Sequence, residues 1–229
     1  MYNRTHLGDP SPILPIDYVM PFAERQGSIR SRLVLPRTTI LLQGLNRKAT
    51  YRILDGCVAL YQLLADGRKQ ILDILGPGRL LGAGVTDHFQ CGAETLAFTH
   101  IEELGADKSG AADDAHRQLQ LLLVRSLSHA TLLGRKTAPE KVASALVDLS
   151  QQFARRPKGT GKRTLTFTLH LTRADLADWL GLTLETVSRQ LNGLKRSRVI
   201  DFRTPELITI KDPDRLAAIA NGQSIHDNH

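Results

Sequence analysis

The stretch from Arg173 to Leu191, RADLADWLGLTLETVSRQL, constrains the fold more than any other part of the chain. Two short helices crossing at a steep angle need a small residue at the crossing, a glycine at the turn and a β-branched residue in the second helix. Ala177, Gly181 and Val187 supply them at the required spacing, with Leu176, Leu180 and Leu191 as further dry contacts. The pattern is that of a helix-turn-helix. Thr172 and Thr183 stand one position before each helix, where a hydroxyl can bond a free amide at the helix start.

The second helix carries two stripes. Leu184, Val187, Leu191 and Leu194 recur at threes and fours, which predicts a dry side, while Glu185, Ser188, Arg189, Asn192 and Arg196 recur on a polar and mostly basic side. Glu185 and Arg189 are spaced to pair across one turn, but an exposed pair of this kind contributes only about 0.3 to 0.5 kcal/mol. Beyond this helix, VIDF and LITIK read as two short strands joined by Arg203-Thr204-Pro205-Glu206, a small wing. A winged helix-turn-helix is therefore expected over about 165–211, closed by a short helix with Asp212 as cap and Pro213 in its first turn.

Upstream, PEKVASALVDLSQQFARR predicts an amphipathic helix from Pro139, ending in the basic loop RRPKGTGKR. That loop resembles a phosphate-binding P-loop only superficially: Arg163 follows Gly161-Lys162 where Ser or Thr is needed, and Arg156 stands where the first glycine belongs.

From Ile29 to Leu104 the apolar runs YRIL, CVALYQLL and RKQILDIL are punctuated by Asp55-Gly56, Asp66-Gly67 and Gly76-Pro77-Gly78, which predicts an antiparallel sandwich or roll. Asp66-Gly67 suits a tight two-residue hairpin turn. Between Ala111 and Lys136 no glycine or proline occurs until Gly134, which predicts a helix of about seven turns. Leu119, Leu123, Ser126, Ala130 and Leu133 form one row of it, and Leu122 and Leu127 add a second apolar side. A helix dry on two sides is expected to pack on its own β domain and on a second subunit.

Charge separates the two halves. Residues 135–229 hold 16 Lys and Arg against 10 Asp and Glu, while the remainder holds 14 against 13, so the basic excess of the chain sits with the helix-turn-helix. An anionic partner is expected there. With no run of 18 apolar residues and no signal-peptide pattern at its start, the chain reads as cytoplasmic, with no membrane partner. Cys57 and Cys91 stand far apart, without metal-ligand spacing, and read as packed small hydrophobes. No Ser/His/Asp, Cys/His or paired-carboxylate arrangement argues for an enzyme.

Taken together, the β-rich N-terminal part, the long helix, LGRKTAPEKVASALVDL and LTRADLADWLGLTLETVSR resemble the cyclic-AMP receptor protein/FNR superfamily of transcription regulators. LLGRKTAPEKVAS and the E-T-V-S-R string most resemble its FNR/FixK branch, and without an N-terminal cysteine cluster the chain is similar to FixK-type regulators. The resemblance implies an α+β fold: a β-roll like a cyclic-nucleotide-binding domain over 1–110, a dimerisation helix over 111–137 and a winged helix-turn-helix DNA-binding domain over 138–229.

It also implies a homodimer, formed through 111–137, that activates genes expressed at low oxygen, of respiration or nitrogen-fixation type. Such a dimer reads a TTGA-like palindrome in double-stranded DNA and contacts RNA polymerase, for which the Asp66-Gly67 hairpin is a candidate surface. Base readout falls on Glu185, Ser188 and Arg189; Arg suits guanine O6 and N7, Glu the cytosine amino group, and Ser either role. Thr172, Arg173, Thr183, Thr186, Lys195 and Arg196 are the expected phosphate contacts, with Arg198 and the 155–163 loop as further candidates.

Two departures bear on effectors. Cyclic-nucleotide-binding members carry a Gly-Glu pair followed by Arg-Ser, whereas here Ala83 follows Gly82 and Glu94-Thr95 fill the Arg-Ser place, where an acid repels a cyclic phosphate. An oxygen-sensing iron-sulfur cluster needs four thiolates, and this chain has two cysteines. No cofactor is expected. A haem- or metabolite-sensing regulator is the alternative, with His88 and His100 as the histidines of the β domain.

Overall fold

A computed structural model describes residues 30–46, 49–82, 87–104, 111–154 and 164–224. Eight strands form the β-rich part: β1 (Arg30–Val34), β2 (Thr39–Leu41), β3 (Thr50–Asp55), β4 (Val58–Leu63), β5 (Lys69–Leu75), β6 (Leu80–Leu81), β7 (Gly92–Thr95) and β8 (Thr99–Leu104). They pair antiparallel in two sheets of order β1-β8-β3-β6 and β2-β7-β4-β5. Helices α1 (Ala111–Arg135) and α2 (Ala138–Phe153) follow. Next come β9 (Leu165–Thr168), α3 (Arg173–Leu180), α4 (Leu184–Arg196), β10 (Ile200–Phe202), β11 (Leu207–Ile210) and α5 (Pro213–Ala220). No described helix is long and apolar enough to cross a membrane.

The run CVALYQLL has a physical reason to be continuously apolar. Strand β4 is buried on both faces: Val58 and Leu60 face the roll interior with Leu41, Ile53, Leu75, Leu81 and Ala93, whereas Ala59 joins Ile71 and Ile74 in a second core. That second core runs without a break into Val142, Leu146 and Leu149 of α2, Leu176 and Leu180 of α3 and Leu191 of α4. The roll and the helix-turn-helix thus share one dry interface.

Local details refine the sequence reading. The Asp66-Gly67 hairpin closes through Leu64 N–H to Arg68 O (2.9 Å) and Gly67 N–H to Leu64 O (2.9 Å), so the loop holds three residues instead of two. Only Gly67 takes a positive φ, of 84°, which matches a turn followed by one left-handed residue. The wing gains a third strand that the sequence did not announce. Strand β9 pairs with β11 in the order β10-β11-β9, with Phe167 opposite Ile208. Asp212 caps α5 by accepting from Arg215 N–H.

Helix α1 lies on the roll with the side that carries Leu122, which packs against the roll interior. Leu123 and Leu127, 60% and 62% exposed, point outward with Leu121 and Val124. Leu122 and Leu123 lie on different sides of this helix as expected, but Leu127, expected beside Leu122, shares the outward side with Leu123.

Arg125 fastens the assembly. Its Nε and Nη2 donate to both oxygens of Asp73 on β5 at 2.6 to 3.0 Å, and its Nη1 and Nη2 donate to Asp148 on α2 at 2.6 and 3.0 Å. Arg79 stands 3.7 Å from Asp73, so two guanidinium groups face two carboxylates. Burial works against the charge on Arg125, and the hydrogen bonds to Asp73 and Asp148 outweigh it and hold the group ionised. Arg125→Met leaves the buried Asp73 and the half-buried Asp148 without their main partner, and we expect a loss of about 3 kcal/mol in unfolding free energy. Urea denaturation followed by fluorescence of Trp179, the sole tryptophan, measures it; a loss below about 1 kcal/mol contradicts this account.

Candidate nucleic-acid interface

Both helices of the motif start on a hydroxyl cap. Asp175 N–H donates to Thr172 Oγ1 (3.1 Å), and Thr172 returns its own N–H (2.8 Å) and its hydroxyl (2.7 Å) to Asp175 Oδ2. At the second helix Thr186 N–H donates to Thr183 Oγ1 (3.2 Å). Gly181 ends α3 in the left-handed region, with φ 60°. A side chain is strained there and would approach Leu133 of α1, so glycine fits both the turn and its neighbour.

Val187, Leu191 and Leu194 are buried in the core beneath α4, and Glu185 and Arg189 are exposed on its other side with Ser188 half-buried. The predicted base-reading residues therefore share one accessible face. Glu185 and Arg189 do not pair: Arg189 Nη2 donates to Thr186 Oγ1 at 3.4 Å, and Glu185 has no ion pair among the described residues. Both ends of the reading face are open to a base without breaking an ion pair.

Several expected phosphate contacts are already engaged. Arg173 is half-buried over the Phe202 ring, 5.5 Å from its centroid. Lys195 stands 4.3 Å from the same ring, donates to Phe202 O (2.5 Å) and lies 3.5 Å from Asp201. These two cations bind the wing to the helices through Phe202. Thr172 commits its N–H and hydroxyl to Asp175. Arg196 and Arg198 remain exposed at the end of α4, and Arg198 adopts a left-handed φ of 60°. The 155–163 loop lies outside the described residues.

Leu184 departs from its predicted place. Its angle on the helix puts it on the dry stripe, yet it is 47% exposed, because the first turn of α4 projects past the core. An exposed leucine beside Glu185 offers an apolar contact of the kind that suits a thymine methyl group. Phe202 was legible only as part of a strand, since its role depends on cations 7 and 29 residues away.

Elsewhere, His88 forms an isolated bridge with Asn46, and His100 lies in register with Leu33 and Asp55. No group of three metal-ligating side chains occurs among the described residues. Burial pushes both Cys57 and Cys91 thiols up, which disfavours the reactive thiolate.

If Leu184 serves the surface and Leu191 the core, truncation separates them. Leu191→Ala is expected to cost about 2 to 5 kcal/mol. Leu184→Ala stays within about 0.5 kcal/mol in the same Trp179-monitored denaturation. Asp175 makes a pH prediction. Burial raises its carboxyl, but hydrogen bonds from Arg37 and Thr172 outweigh this and hold it below the usual carboxylate range. The stability it contributes is therefore complete above the ordinary pKa of about 3.9 and is lost as pH falls through the lowered value. Asp175→Asn should flatten that part of the acid limb; an unchanged slope contradicts the assignment.

Comparison with known proteins agrees with this geometry. Residues 140–219 match the Crp-like helix-turn-helix domain and residues 32–108 the cyclic nucleotide-binding domain. The nitrogen fixation regulation protein FixK of Rhizobium meliloti is 32% identical over 189 residues, covering 81% of this chain and 85% of the relative. The transcriptional activatory protein AadR of Rhodopseudomonas palustris is 32% identical over 197 residues, covering 81% and 79%. The structure of FixK2 from Bradyrhizobium japonicum superposes with a TM-score of 0.75 at 25% identity, covering 86% of this chain and all of that one. By fold, motif and relatives the chain belongs to the FixK branch of the Crp/FNR family of transcription regulators and is not an enzyme.

Proposed function

We propose that the protein is a dimeric, sequence-specific activator of genes expressed at low oxygen, and that it reads a TTGA-like palindrome without cyclic AMP or an iron-sulfur cluster. The observation that carries the reading is the open polar face of α4, where Glu185, Ser188 and Arg189 stand together on the side opposite the buried Val187, Leu191 and Leu194. Arg189 donates to guanine O6 and N7, Glu185 accepts from cytosine, Ser188 adds a further polar contact and Leu184 meets a thymine methyl. Thr183, Thr186 and Arg196 flank this face and contact phosphates, which position the helix without specifying sequence. The names of the FixK relatives support the regulon type.

Dimerisation proceeds through the outer side of α1. Four exposed apolar side chains, Leu121, Leu123, Val124 and Leu127, form a contiguous patch that a second copy covers. Independence from cyclic AMP is supported by the apolar packing of the roll interior, where Leu72, Phe89, Cys91 and Leu122 pack against the buried Leu60 and Leu81. Glu94 bears on this differently from the sequence expectation. Its neighbour Ala93 faces that interior, so Glu94 projects to the other face of β7, where it binds Arg37 (3.4 Å) and Lys69 (2.9 Å). The Asp66-Gly67 hairpin, with Arg68 largely exposed, is the surface we assign to RNA polymerase.

Binding to duplexes differing at single base pairs tests the assignment. Arg189→Ala loses about 1 to 3 kcal/mol of discrimination at one guanine, whereas Arg196→Ala weakens specific and scrambled DNA alike and lowers the salt slope by about one. Equal losses on both duplexes for both variants contradict the base-reading role of Arg189.

A further inference from the structure

We propose that Arg37, in the roll, is a positioning residue for DNA reading: by gripping Asp175 it fixes the angle at which the helix-turn-helix leaves the roll, and through that angle the separation of the two reading helices. The inference rests on the dimeric DNA-reading function proposed above.

Arg37 is held in an unusual backbone state. It is a non-glycine residue with φ 60°, in the turn between β1 and β2. Such a conformation persists where its surroundings over-determine it. Here Arg37 N–H donates to Thr95 O (2.8 Å), and the buried Thr95 hydroxyl donates to Leu35 O (2.6 Å) and accepts from Thr38 N–H (2.9 Å). Both flanks of the turn are thereby pinned to β7. The backbone that carries the guanidinium is thus held by the roll.

Its target belongs to the other part of the molecule. Nη1 donates to Asp175 Oδ1 at 2.9 Å and Nη2 to Oδ2 at 2.6 Å, a two-pronged contact that fixes direction as well as distance. Nη1 also reaches Glu94 Oε1 at 3.4 Å, and Glu94 takes a second bond from Lys69 at 2.9 Å, so the cation sits between a carboxylate of the roll and one of α3. Asp175 is only 7% exposed, and the same carboxylate closes the cap of α3 on Thr172. Whatever holds Asp175 therefore holds the start of the helix. Three residues on, Gln70 Nε2 donates to Asp178 O at 2.6 Å. Two attachment points about 4.5 Å apart along one helix define its orientation, not merely its proximity.

The apolar interface between roll and helices lacks this property, because dry contact is non-directional. A rigid path can then be followed from the outer side of α1 to the reading face. Arg125 ties α1 to β5, Gln70 and Lys69 extend from β5 to α3 and to Glu94, Arg37 grips Asp175, and Gly181 sets α4 on α3. Arg37, like Gln70 and Lys69, lies outside both the helix-turn-helix and α1, and of the three it alone makes a two-pronged contact with α3, so replacing it removes the directional grip without changing a residue of either.

The test uses the full-length protein and palindromic duplexes in which the two half-sites are moved apart or together by single base pairs. Each added base pair rotates one half-site by about 35° relative to the other, so a rigid dimer prefers one spacing strongly. We expect the wild type to show a sharp optimum. Arg37→Ala should lose about tenfold in affinity at that optimum while changing little at the poorer spacings, which flattens the profile. Arg37→Lys, which keeps the charge but not the fork, should recover part of the preference. A purely structural role predicts instead that Arg37→Ala lowers affinity equally at every spacing, in step with a lower urea midpoint, and that result overturns the inference. So does a profile identical to the wild type. Wild-type protein that distinguishes no palindrome from scrambled DNA refutes the proposed function itself, and the positioning role with it.

Discussion

The contact on which the rest of the structure depends is the one between Arg125 and its two carboxylates. Asp73 comes from the roll, Asp148 from the helix that opens the C-terminal half, and Arg125 from the long helix between them. Taking such charges out of water is costly, and only dense hydrogen bonding offsets it. The surroundings provide that density. Gln152 donates to Asp148 (2.9 Å) and to Ile74 O (3.1 Å) and accepts from Gly76 N–H (2.9 Å), which binds α2 to the end of β5 by neutral bonds alongside the charged ones. An apolar replacement of similar volume would fill the same space, but it would not select one register of α1 on the roll. The charges serve geometry more than stability.

What could be read from the sequence divides along sequence distance. The helix-turn-helix was legible because what defines it lies close in sequence: the small Ala177, the left-handed Gly181 and the hydroxyl caps Thr172 and Thr183 are local solutions to local problems. Strands β3, β4 and β5 were legible for the same reason, through turn residues between apolar runs. Strand β9 was not, because LTFT is short and its partner β11 lies some 40 residues on. Leu184 was misplaced because helical periodicity gives an angle, not an end, and the core stops before the first turn of α4 does.

The basic residues show the same limit more sharply. Arg173 and Lys195 read as phosphate contacts because they flank a reading helix and carry the right charge. In the fold they meet the same aromatic ring, and Lys195 also meets Asp201, so part of their charge is spent within the protein. Arg196, next to Lys195 in sequence, is exposed and has no ion pair among the described residues. One residue of offset on a helix is about 100°, enough to separate a cation that holds the protein together from one open to a polyanion. Arg37 and Asp175, 138 positions apart, had no sequence signature at all.

These observations assign the roll a mechanical part. Apolar side chains from both sheets and from α1 pack together in the roll interior, and Glu94 of β7 turns to the opposite face. Glu94 is the telling case. A carboxylate facing inward would be buried among hydrocarbon, whereas facing outward it neutralises Lys69 and shares Arg37 with Asp175. Buried Asp175 then requires the roll: without Arg37 its carboxylate keeps only the Thr172 hydrogen bonds, which suffice to cap a helix but not to balance a charge. The helix-turn-helix half is in this sense electrostatically incomplete on its own, and docking on the roll completes it.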